Sequence, residues 1–415
     1  MKINTIVAEY NPFHNGHAYH IAEAAQKTGA DYTIVIMSGN YVQRGAPAVL
    51  DKFTRARMAL QNGADLCLEL PTYYAASSAE YFATGAVTLA EKLGVVTHLC
   101  FGTECDDLEY LKQASRILVD EPEEFCKLLA ENLREGLSFP MARQKALLDY
   151  SPDLREKADI LECPNNILGL EYIKALYRRN SNIEPISIPR IGKDYLDESL
   201  DETYSSARAL RKVLGCTDDT DSRIALIENQ VPENVYPLLQ QAHENNEFLF
   251  SNDFSTVLHY KLLNEQSMGF EDYLDVSYEL SGRIQNHLYE FQDYEQFCDL
   301  LNSKDMTYTR ISRCLLHILL DMKKYQMTDY QAHDYVSYAR ILGFRKESTP
   351  LLSAITQNAS IPLLSKPADA KTVLDTNAYA MLMDEVRMSD IYQSILSQKS
   401  QKKMAHEFRT PLVIL

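Results

Sequence analysis

Short apolar runs alternate with helix-like segments through the first hundred residues, and this alternation limits the folds that the chain can adopt. The runs with the apolar character of strands are residues 3–10, 31–39, 64–71 and 95–104. The segments with a helical pattern between them are residues 17–27, 52–63 and 77–94. This order predicts βαβ units and a Rossmann-like, doubly wound parallel sheet. Ligands of such sheets bind beyond the carboxyl ends of the strands, so the residues that follow each strand are candidates for a site.

The alternation is not seen beyond about residue 225. A short strand at 184–192 and a helix at 205–215 close the first part, and amphipathic helices are predicted at 309–322 and 333–344. We therefore expect an α/β domain over residues 1–224, followed by a mainly α-helical C-terminal domain over residues 225–415.

Charge and composition exclude several protein classes. The formal net charge is −17, so we do not expect the protein to bind nucleic acid over its whole surface. Any RNA must bind a local basic patch. No apolar run reaches the roughly 18 residues that span a bilayer, and the N-terminus lacks the pattern of a signal peptide. The eight cysteines are scattered without a C-x-x-C motif, which suits a reducing cytosol. We predict a cytoplasmic protein with no membrane or DNA partner.

The stretch "EYNPFHNGHAYH" places three of the ten histidines directly after the first predicted strand. His14 and His17 flank Gly16 in an H-x-G-H pattern, where a strand turns into a helix. The free N–H groups and dipole of a helix start attract phosphate, and a glycine lets a nucleotide approach the backbone. His14 and His17 are therefore predicted catalytic residues that stabilise charge on an α-phosphate under in-line attack. Two alternatives are a plain helix cap and a weaker hypothesis of a zinc site at His17 and His20, which no H-E-x-x-H pattern accompanies.

The segment "SSARALR" (205–211) resembles the S-S-T-x-I-R signature of H-x-G-H nucleotidyltransferases. Aligned on this signature, Ser206 would hydrogen-bond a phosphate, and Arg211 would hold the β- and γ-phosphates. Arg208 stands where the signature usually has threonine, which removes a hydroxyl and adds a charge.

The chain as a whole resembles the bacterial tRNA(Met) cytidine acetate ligase family. Segments that carry the resemblance include "VAEYNPFHNGHAYH", "SGNYVQRGAPAVLDKFTRARMAL", "GADLCLELPT", "SSAEYFATGAV", "CPNNILGLEYIKAL", "IPRIGKDY", "DVSYELSGRI" and "TRISRCLLHILL". The resemblance implies a HIGH-type nucleotidyltransferase that forms acetyl-adenylate and pyrophosphate from acetate and ATP. It would then acetylate N4 of the wobble cytidine of elongator tRNA(Met).

Carried over position by position, the resemblance implies an ATP-binding set with Mg²⁺ on the phosphates and no side-chain motif for a metal. The implied ATP-binding residues are Val7, Ala8, Glu9, Tyr10, Asn11, Pro12, Phe13, His14, Asn15, Gly16, His17, Ala18, Tyr19, His20, Gly102, Asn165, Arg190 and Ile191. Asn166 is an alternative to its neighbour Asn165. Leu196 follows Tyr195 where the family often has histidine, so no catalytic role is assigned there. An adenylating site needs no side-chain nucleophile, because the carboxylate of acetate itself attacks phosphorus.

Two groups of basic residues are candidates for contact with tRNA or phosphate. Arg44, Arg55 and Arg57, together with Lys52, follow the second strand, and Arg310, Arg313 and His317 share one face of a predicted helix. A solvated charged face is the alternative for each group, and it is preferred for the basic tail at 399–409.

Two other functions are open on the motif alone. One is a small-molecule adenylyltransferase that acts on a phosphorylated cofactor precursor, although such enzymes need little more than the first domain. The other is a nucleotide-sensing binding protein, which would have no need of His14 and His17 as transition-state groups.

Overall fold

A computed structural model describes residues 1–191, 203–215, 220–303 and 306–415. Its strands are β1 (Ile3–Ala8), β2 (Tyr32–Ser38), β3 (Tyr41–Val42), β4 (Ala46–Pro47), β5 (Leu66–Leu70), β6 (His98–Thr103), β7 (Glu184–Pro189), β8 (Ala339–Phe344), β9 (Leu363–Leu364) and β10 (Val413–Ile414). The helices of the first part are α1 (Asn15–Thr28), α2 (Lys52–Gln61), α3 (Thr72–Ala75), α4 (Ala79–Lys92), α5 (Leu108–Asp120), α6 (Glu123–Arg134), α7 (Phe139–Tyr150), α8 (Pro164–Arg178), α9 (Ala207–Gly215) and α10 (Thr220–Leu226). The later helices are α11 (Tyr236–Glu244), α12 (Ser255–Glu265), α13 (Tyr278–His287), α14 (Tyr294–Leu301), α15 (Tyr308–Leu319), α16 (Lys324–Ala332), α17 (Thr349–Asn358), α18 (Ala370–Val373) and α19 (Thr376–Ser400).

The main sheet has the strand order β10-β8-β5-β2-β1-β6-β7, with β9 beside β8. β5, β2, β1, β6 and β7 are parallel, and the central strands are apolar and buried because helices cover both faces. The predicted doubly wound parallel sheet is confirmed. The register pairs Ala8 with Met37 and Gly102 with Ile188, so the carboxyl ends of four of these strands meet at one edge. The residues that follow β1, β2, β6 and β7 are thereby brought together.

The predicted helix at 333–344 is wrong. Residues 339–344 form β8, which pairs antiparallel with β5 and parallel with the short strands β9 and β10. Leu342 is fully buried, and a short apolar run of this kind fits a helix or a strand equally well by periodicity. Pairing with β5, which lies far away in the sequence, decides between the two.

The later part of the chain is mainly helical, as predicted, but it also completes the main sheet. β8, β9 and β10 all come from beyond residue 225 and extend the sheet of the first part. The sheet therefore continues across the predicted boundary at 224/225. That the first part activates ATP and acetate while the second part binds tRNA stays a prediction.

A cluster of buried ion pairs connects the first part of the chain, up to residue 224, to the second. Lys52 lies 2.7 Å from Glu69 and 2.5 Å from Glu407, and Arg340 lies 2.6 Å from Glu407 and 3.1 Å from Glu69. All four side chains are at most 4% exposed. Lys52, which the sequence groups with surface cations, is therefore a buried partner of two carboxylates. No helix in the described ranges is long and apolar enough to cross a membrane.

Candidate active site

The two motif histidines form the start of α1. The helix begins at Asn15, two residues before the predicted start, and His14 is its N-cap. Nδ1 of His14 accepts a hydrogen bond from the Gly16 N–H (3.1 Å), and Nδ1 of His17 accepts one from the His14 N–H (3.3 Å). This reciprocal pair is a capping box made of two imidazoles. The helix cap that the sequence offered as an alternative is therefore present, and it leaves the prediction of a nucleotide site at the same residues open.

The capping bonds fix which ring nitrogen carries the proton. A neutral imidazole has one donor and one acceptor nitrogen, and in both rings Nδ1 is the acceptor. Nε2 of His14 and of His17 therefore carries the proton. The rings are stacked with centroids 3.7 Å apart, so each ring restricts the orientation of the other. They offer two oriented N–H donors.

Burial keeps these rings neutral. Burial and the charges of Arg190 and Arg211 lower the pKa of His14 to about 3. Burial, with the neighbouring His14, lowers the pKa of His17 well below its ordinary value, and burial lowers that of His20 to about 4. At neutral pH these rings are therefore neutral N–H donors, and the positive charge of the site comes from Arg190 and Arg211.

A buried arginine holds the loop between β1 and α1. Arg55 is fully buried, and its guanidinium donates to the carbonyl oxygens of Glu9 (2.6 Å), Ser38 (3.1 Å), Leu50 (2.9 Å) and Gly39. The prediction that Arg55 contacts tRNA is wrong, because a buried guanidinium bonded to four carbonyl groups cannot reach a macromolecule. Its role is to fix the loops that follow β1 and β2.

A cleft opens between the start of α1 and the strands β6 and β7. It consists of two joined cavities, which share His17, His20, Gly102 and Arg190 in their walls. The predicted site residues that line it are Val7, Ala8, Glu9, Tyr10, Asn11, His14, Gly16, His17, Tyr19, His20, Gly102, Asn165, Arg190, Ile191 and Arg211. Small ligands and cofactors bind in concave sites of this kind, which combine apolar walls with a few polar groups.

A few predicted nucleotide contacts lie outside the walls of this cleft. Phe13 is buried and packs edge-on against Tyr10. Asn15 donates to the carbonyl oxygens of Thr203 and Asn229, and Ala18 packs on the apolar cluster beneath α1. Pro12, in a cis peptide bond, is buried beside them. These four residues shape the motif rather than the surface that a nucleotide would touch.

Gly102 and Arg190 face each other at the ends of β6 and β7. Arg190 donates its backbone N–H to Thr103 O (2.9 Å), and its side chain lies over Gly102. A Cβ at position 102 would lie 3.4 Å from Cγ of Arg190. That distance is an ordinary van der Waals contact, so the arginine stem lies along the strand while its side chain lines the cleft.

Asn165 and Asn166 are both held by Glu104, but they face different ways. The carboxylate of Glu104 accepts from the backbone N–H groups of Asn165 and Asn166 (both 3.1 Å) and from Nδ2 of Asn165 (2.5 Å). Asn165 lines the cleft, whereas Asn166 is fully buried and accepts from the Glu104 N–H. This geometry favours Asn165 as the nucleotide contact.

The start of α9 reaches the same cleft from the other side. Ser206 is buried and caps the helix by accepting from the Ala209 N–H (3.1 Å), so a phosphate contact would have to share this hydroxyl. Arg211 donates to Asn11 O (2.7 Å) and lines the cleft, as does Arg208, the residue that departs from the signature. The other departure, Leu196, lies outside the described residues, as does Tyr195.

Sequence reasoning missed part of the inner wall of the cleft. Its members that were not predicted are Gln43, Phe82, Phe101, Leu168, Tyr172, Ala207 and Arg208. Most are apolar or aromatic and come from helices α4 and α8 or from β6. Their sequence pattern is that of core residues, so no local signal distinguishes them.

The structure brings two of the predicted basic groups together. The hairpin of β3 and β4 packs on α15, because Gly45 O accepts from Tyr294 Oη (3.2 Å) and Ser312 Oγ (2.8 Å). Arg44, at the tip of this hairpin, therefore lies beside the face of α15 that carries the exposed Arg310 and the half-buried Arg313. We call Arg44, Arg310 and Arg313 the arginine patch.

The remaining basic candidates lie elsewhere. Arg57 is exposed on α2. His317 is fully buried and bonds to the carbonyl oxygens of Leu274 and Ala76 (both 2.9 Å), so its predicted place on the charged face of α15 is wrong. In the basic tail, Lys399 pairs with Asp253.

No group of three or more metal-ligating side chains occurs in the part of the chain that the structure describes. Glu9 is the one carboxylate among the described residues that line the cleft. Mg²⁺ usually keeps several waters and binds through substrate phosphates, with one or two carboxylates. This donor set is compatible with a magnesium ion that arrives on a nucleotide.

Comparisons with known proteins agree with this geometry. The family model of the HIGH nucleotidyl transferases matches residues 1–407. The tRNA(Met) cytidine acetate ligase of Clostridium kluyveri is 39% identical over 406 residues, which cover 95% of this chain and 98% of that protein. The protein of the same name from Acetivibrio thermocellus is 36% identical over 415 residues, which cover 100% of both chains.

Solved structures show the same fold. The apo form I of Thermotoga maritima TmcAL superimposes with a TM-score of 0.94 at 32% identity, and the alignment covers 100% of both chains. The same protein bound with alpha-thio ATP superimposes with a TM-score of 0.91 over the same coverage.

Proposed function

Since the chain belongs to the HIGH nucleotidyl transferase family and, within it, to the tRNA(Met) cytidine acetate ligases, we propose that it is an ATP-dependent ligase that acetylates tRNA. It activates acetate to acetyl-adenylate with release of pyrophosphate, and it acetylates N4 of the wobble cytidine of elongator tRNA(Met). Cytoplasmic tRNA is its macromolecular substrate. The observation that carries the chemistry is the pair of capping imidazoles at the start of α1, whose Nε2–H groups are left for a ligand.

In the first step a carboxylate oxygen of acetate attacks the α-phosphorus of ATP, and pyrophosphate leaves on the opposite side. No side-chain nucleophile is required, so the protein acts by positioning and by stabilising charge. The Nε2–H groups of His14 and His17 donate to the α-phosphate oxygens as their negative charge grows. Because both rings are neutral, they do not form a tight ion pair with the ground-state phosphate, and their hydrogen bonds strengthen in the transition state.

The rest of the cleft holds the nucleotide. Gly102, Asn165 and Ile191 contact the nucleoside, and Arg190 lies across it from the edge of β7. Arg211, and Ser206 through its hydroxyl, bind the β- and γ-phosphates, with Mg²⁺ bound to the same phosphates.

The tRNA lies across both parts of the chain, with the adenylating site in residues 1–224 and a share of the RNA contacts in residues 225–415. The arginine patch supports this placement. Gln43 lines the cleft and is followed directly by Arg44, so the patch begins beside the cleft. Because the body is acidic, a few clustered cations carry most of the attraction to phosphate. Arg57 is a further candidate on the first part.

The first prediction tests the adenylating site with paired variants. His14→Asn keeps a side-chain acceptor for the cap, whereas His14→Ala removes it, and neither has the Nε2–H donor. We expect both to lose acetate-dependent exchange of labelled pyrophosphate into ATP by about 100- to 1000-fold. Thermal unfolding should show that only His14→Ala loses stability, by about 1 kcal/mol.

The reference reactions for this test use the wild-type protein with ATP and labelled acetate, with and without tRNA. Label should appear in acetyl-adenylate without tRNA and in tRNA when it is added. If pyrophosphate exchange does not depend on acetate but requires a phosphorylated cofactor precursor, the protein is a small-molecule adenylyltransferase and the proposal is wrong. ATP binding without any turnover would replace it with a nucleotide sensor.

A further inference from the structure

We propose that the inner part of the cleft, between Glu9 and the aromatic side chains of α4 and α8, binds the cytosine base, and that Glu9 accepts the N4 proton as the amide forms. This proposal rests on the proposed function, since it assigns the acceptor site of the same reaction. It gives Glu9 a role distinct from nucleotide binding.

The position of Glu9 is fixed before any substrate arrives. Its carbonyl oxygen accepts from the buried Arg55 (2.6 Å), and its Oε1 accepts from the Gln43 N–H (2.8 Å). These bonds hold backbone and carboxylate in one orientation and leave Oε2 for a ligand. Within the described part of the cleft no other carboxylate is available to take up a proton.

The walls next to Glu9 suit a flat base better than a phosphate. Phe82 comes from α4, and Phe101 and Tyr172 lie with ring centroids 5.8 Å apart. Phe101 is held against α8, because a Cβ at Gly169 would lie 2.6 Å from its ring. Splayed-out RNA bases are recognised by stacking on such rings together with hydrogen bonds to their edges. An apolar wall would not stabilise a triphosphate.

Tyr172 supplies a second polar group beside the carboxylate. Burial, with a smaller effect from the charge of Glu9, raises the pKa of the Tyr172 hydroxyl well above its ordinary value. The hydroxyl therefore stays protonated close to Glu9. A carboxylate acceptor beside a hydroxyl donor can read the amino edge of a pyrimidine.

The amino group of cytosine is what a glutamate can recognise. The N4 amino group is a donor, and Glu accepts from it, whereas uracil presents an acceptor oxygen at the same place. Glu9 thus selects cytidine over uridine. The place is also close to the activated acetyl group, because the ring of the adjacent Tyr10 packs on His17 with centroids 4.9 Å apart.

In acetyl transfer at this site, one bond forms, one bond breaks and one proton is transferred. The N4 lone pair attacks the carbonyl carbon of acetyl-adenylate and forms a C–N bond. The bond between that carbon and the phosphate oxygen breaks, and AMP leaves with the electron pair. The proton lost from N4 passes to Oε2 of Glu9 and then to water.

The second prediction separates the two half-reactions with Glu9→Gln in the full-length chain. Gln keeps an acceptor for the Gln43 N–H but cannot take up a proton. We expect transfer from acetyl-adenylate to tRNA to fall at least 100-fold more than acetate-dependent pyrophosphate exchange does, so that acetyl-adenylate accumulates.

The control is Glu131→Gln, the same chemical change on the exposed surface of α6. Equal losses in exchange and transfer would overturn the proposal by placing Glu9 in the adenylating step, with the proposed function intact. Wild-type transfer by Glu9→Gln would overturn it as well. Failure of the proposed function would look different, since the wild type itself would then show no acetate-dependent exchange.

Discussion

One ring nitrogen of His14 has a structural role, and we propose a catalytic role for the other. Its Nδ1 caps α1, and its Nε2 is available to a phosphate. The H-x-G-H pattern after a predicted strand is enough to locate the site. The tautomer cannot be predicted from the sequence, because it depends on two backbone N–H groups whose positions are set by the folded turn.

The third prediction concerns the state of these rings in the free protein. With Nδ1 of both rings accepting, ¹⁵N spectra should show the Nε2-protonated tautomer for His14 and His17. Because burial lowers both pKa values, with that of His14 at about 3, neither ring should titrate between pH 5 and pH 8. A titration near the ordinary value of 6.5 for either ring would contradict this.

At the level of elements, the local sequence pattern predicts the parallel strands correctly, but it predicts a helix where β8 lies. The five strands from β1 to β7 that carry the site are buried apolar runs bounded by turn signals. β8 carries a buried arginine, Arg340, whose charge is matched only by Glu69 and Glu407 from other elements. A strand whose polar residue is satisfied by distant partners looks amphipathic in sequence, which is why the pattern favours a helix there.

The hairpin of β3 and β4 is the element that connects the cleft to α15. Gly45 has φ +79° and packs so closely that a Cβ would lie 2.3 Å from the Arg313 backbone nitrogen. Neither the left-handed turn nor the contact with α15 can be read from local sequence. Both place Arg44 beside the face of α15 that carries Arg313 and Arg310.

The fourth prediction tests the arginine patch as an RNA surface. The double variant Arg44→Gln and Arg310→Gln should weaken tRNA binding and flatten the log–log salt dependence of the affinity by roughly 0.7 to 0.9 for each phosphate that is no longer neutralised. Acetate-dependent pyrophosphate exchange should fall far less than tRNA affinity. The control is Arg134→Gln, an exposed arginine of α6. If affinity and salt slope match those of the control, the patch is only solvated charge, and the RNA surface must be sought around Arg57.

On the scale of the whole molecule, buried charge joins the sheet to α19 and to the C-terminal segment. Glu385 on α19 is fully buried in this region and accepts from the N–H (2.6 Å) and the hydroxyl (2.7 Å) of Thr72. Burial, with the charge of Glu69, raises the pKa of Glu385 to about 8. Burial alone would raise the pKa of Glu407 as well, but Lys52 and Arg340 lower it to about 2.

The fifth prediction follows from Glu385. Its pKa rises on folding from 4.5 to about 8, so the folded state binds the extra proton between these values. The contribution of this group to the free energy of unfolding therefore falls as pH rises from about 4.5 to about 8, by about 1.4 kcal/mol per pH unit at the steepest. Glu385→Gln should not show this fall in the free energy of unfolding. The difference in unfolding free energy between the variant and the wild type, measured with urea, should therefore grow in favour of the variant from pH 5 to pH 8. An advantage that does not change with pH would refute the assignment.

The ion cluster also orders events during synthesis. Lys52 leaves the ribosome with the first strands, but Glu407, which lies 2.5 Å from it in the finished protein, is translated 355 residues later (407 − 52). Until then Lys52 has only Glu69 among the acids of the cluster, and Arg340 is not matched by its second carboxylate. A nascent chain stalled before Glu407 should therefore carry a sheet that is folded in outline but readily digested by proteases, and it should become resistant only once that segment has emerged.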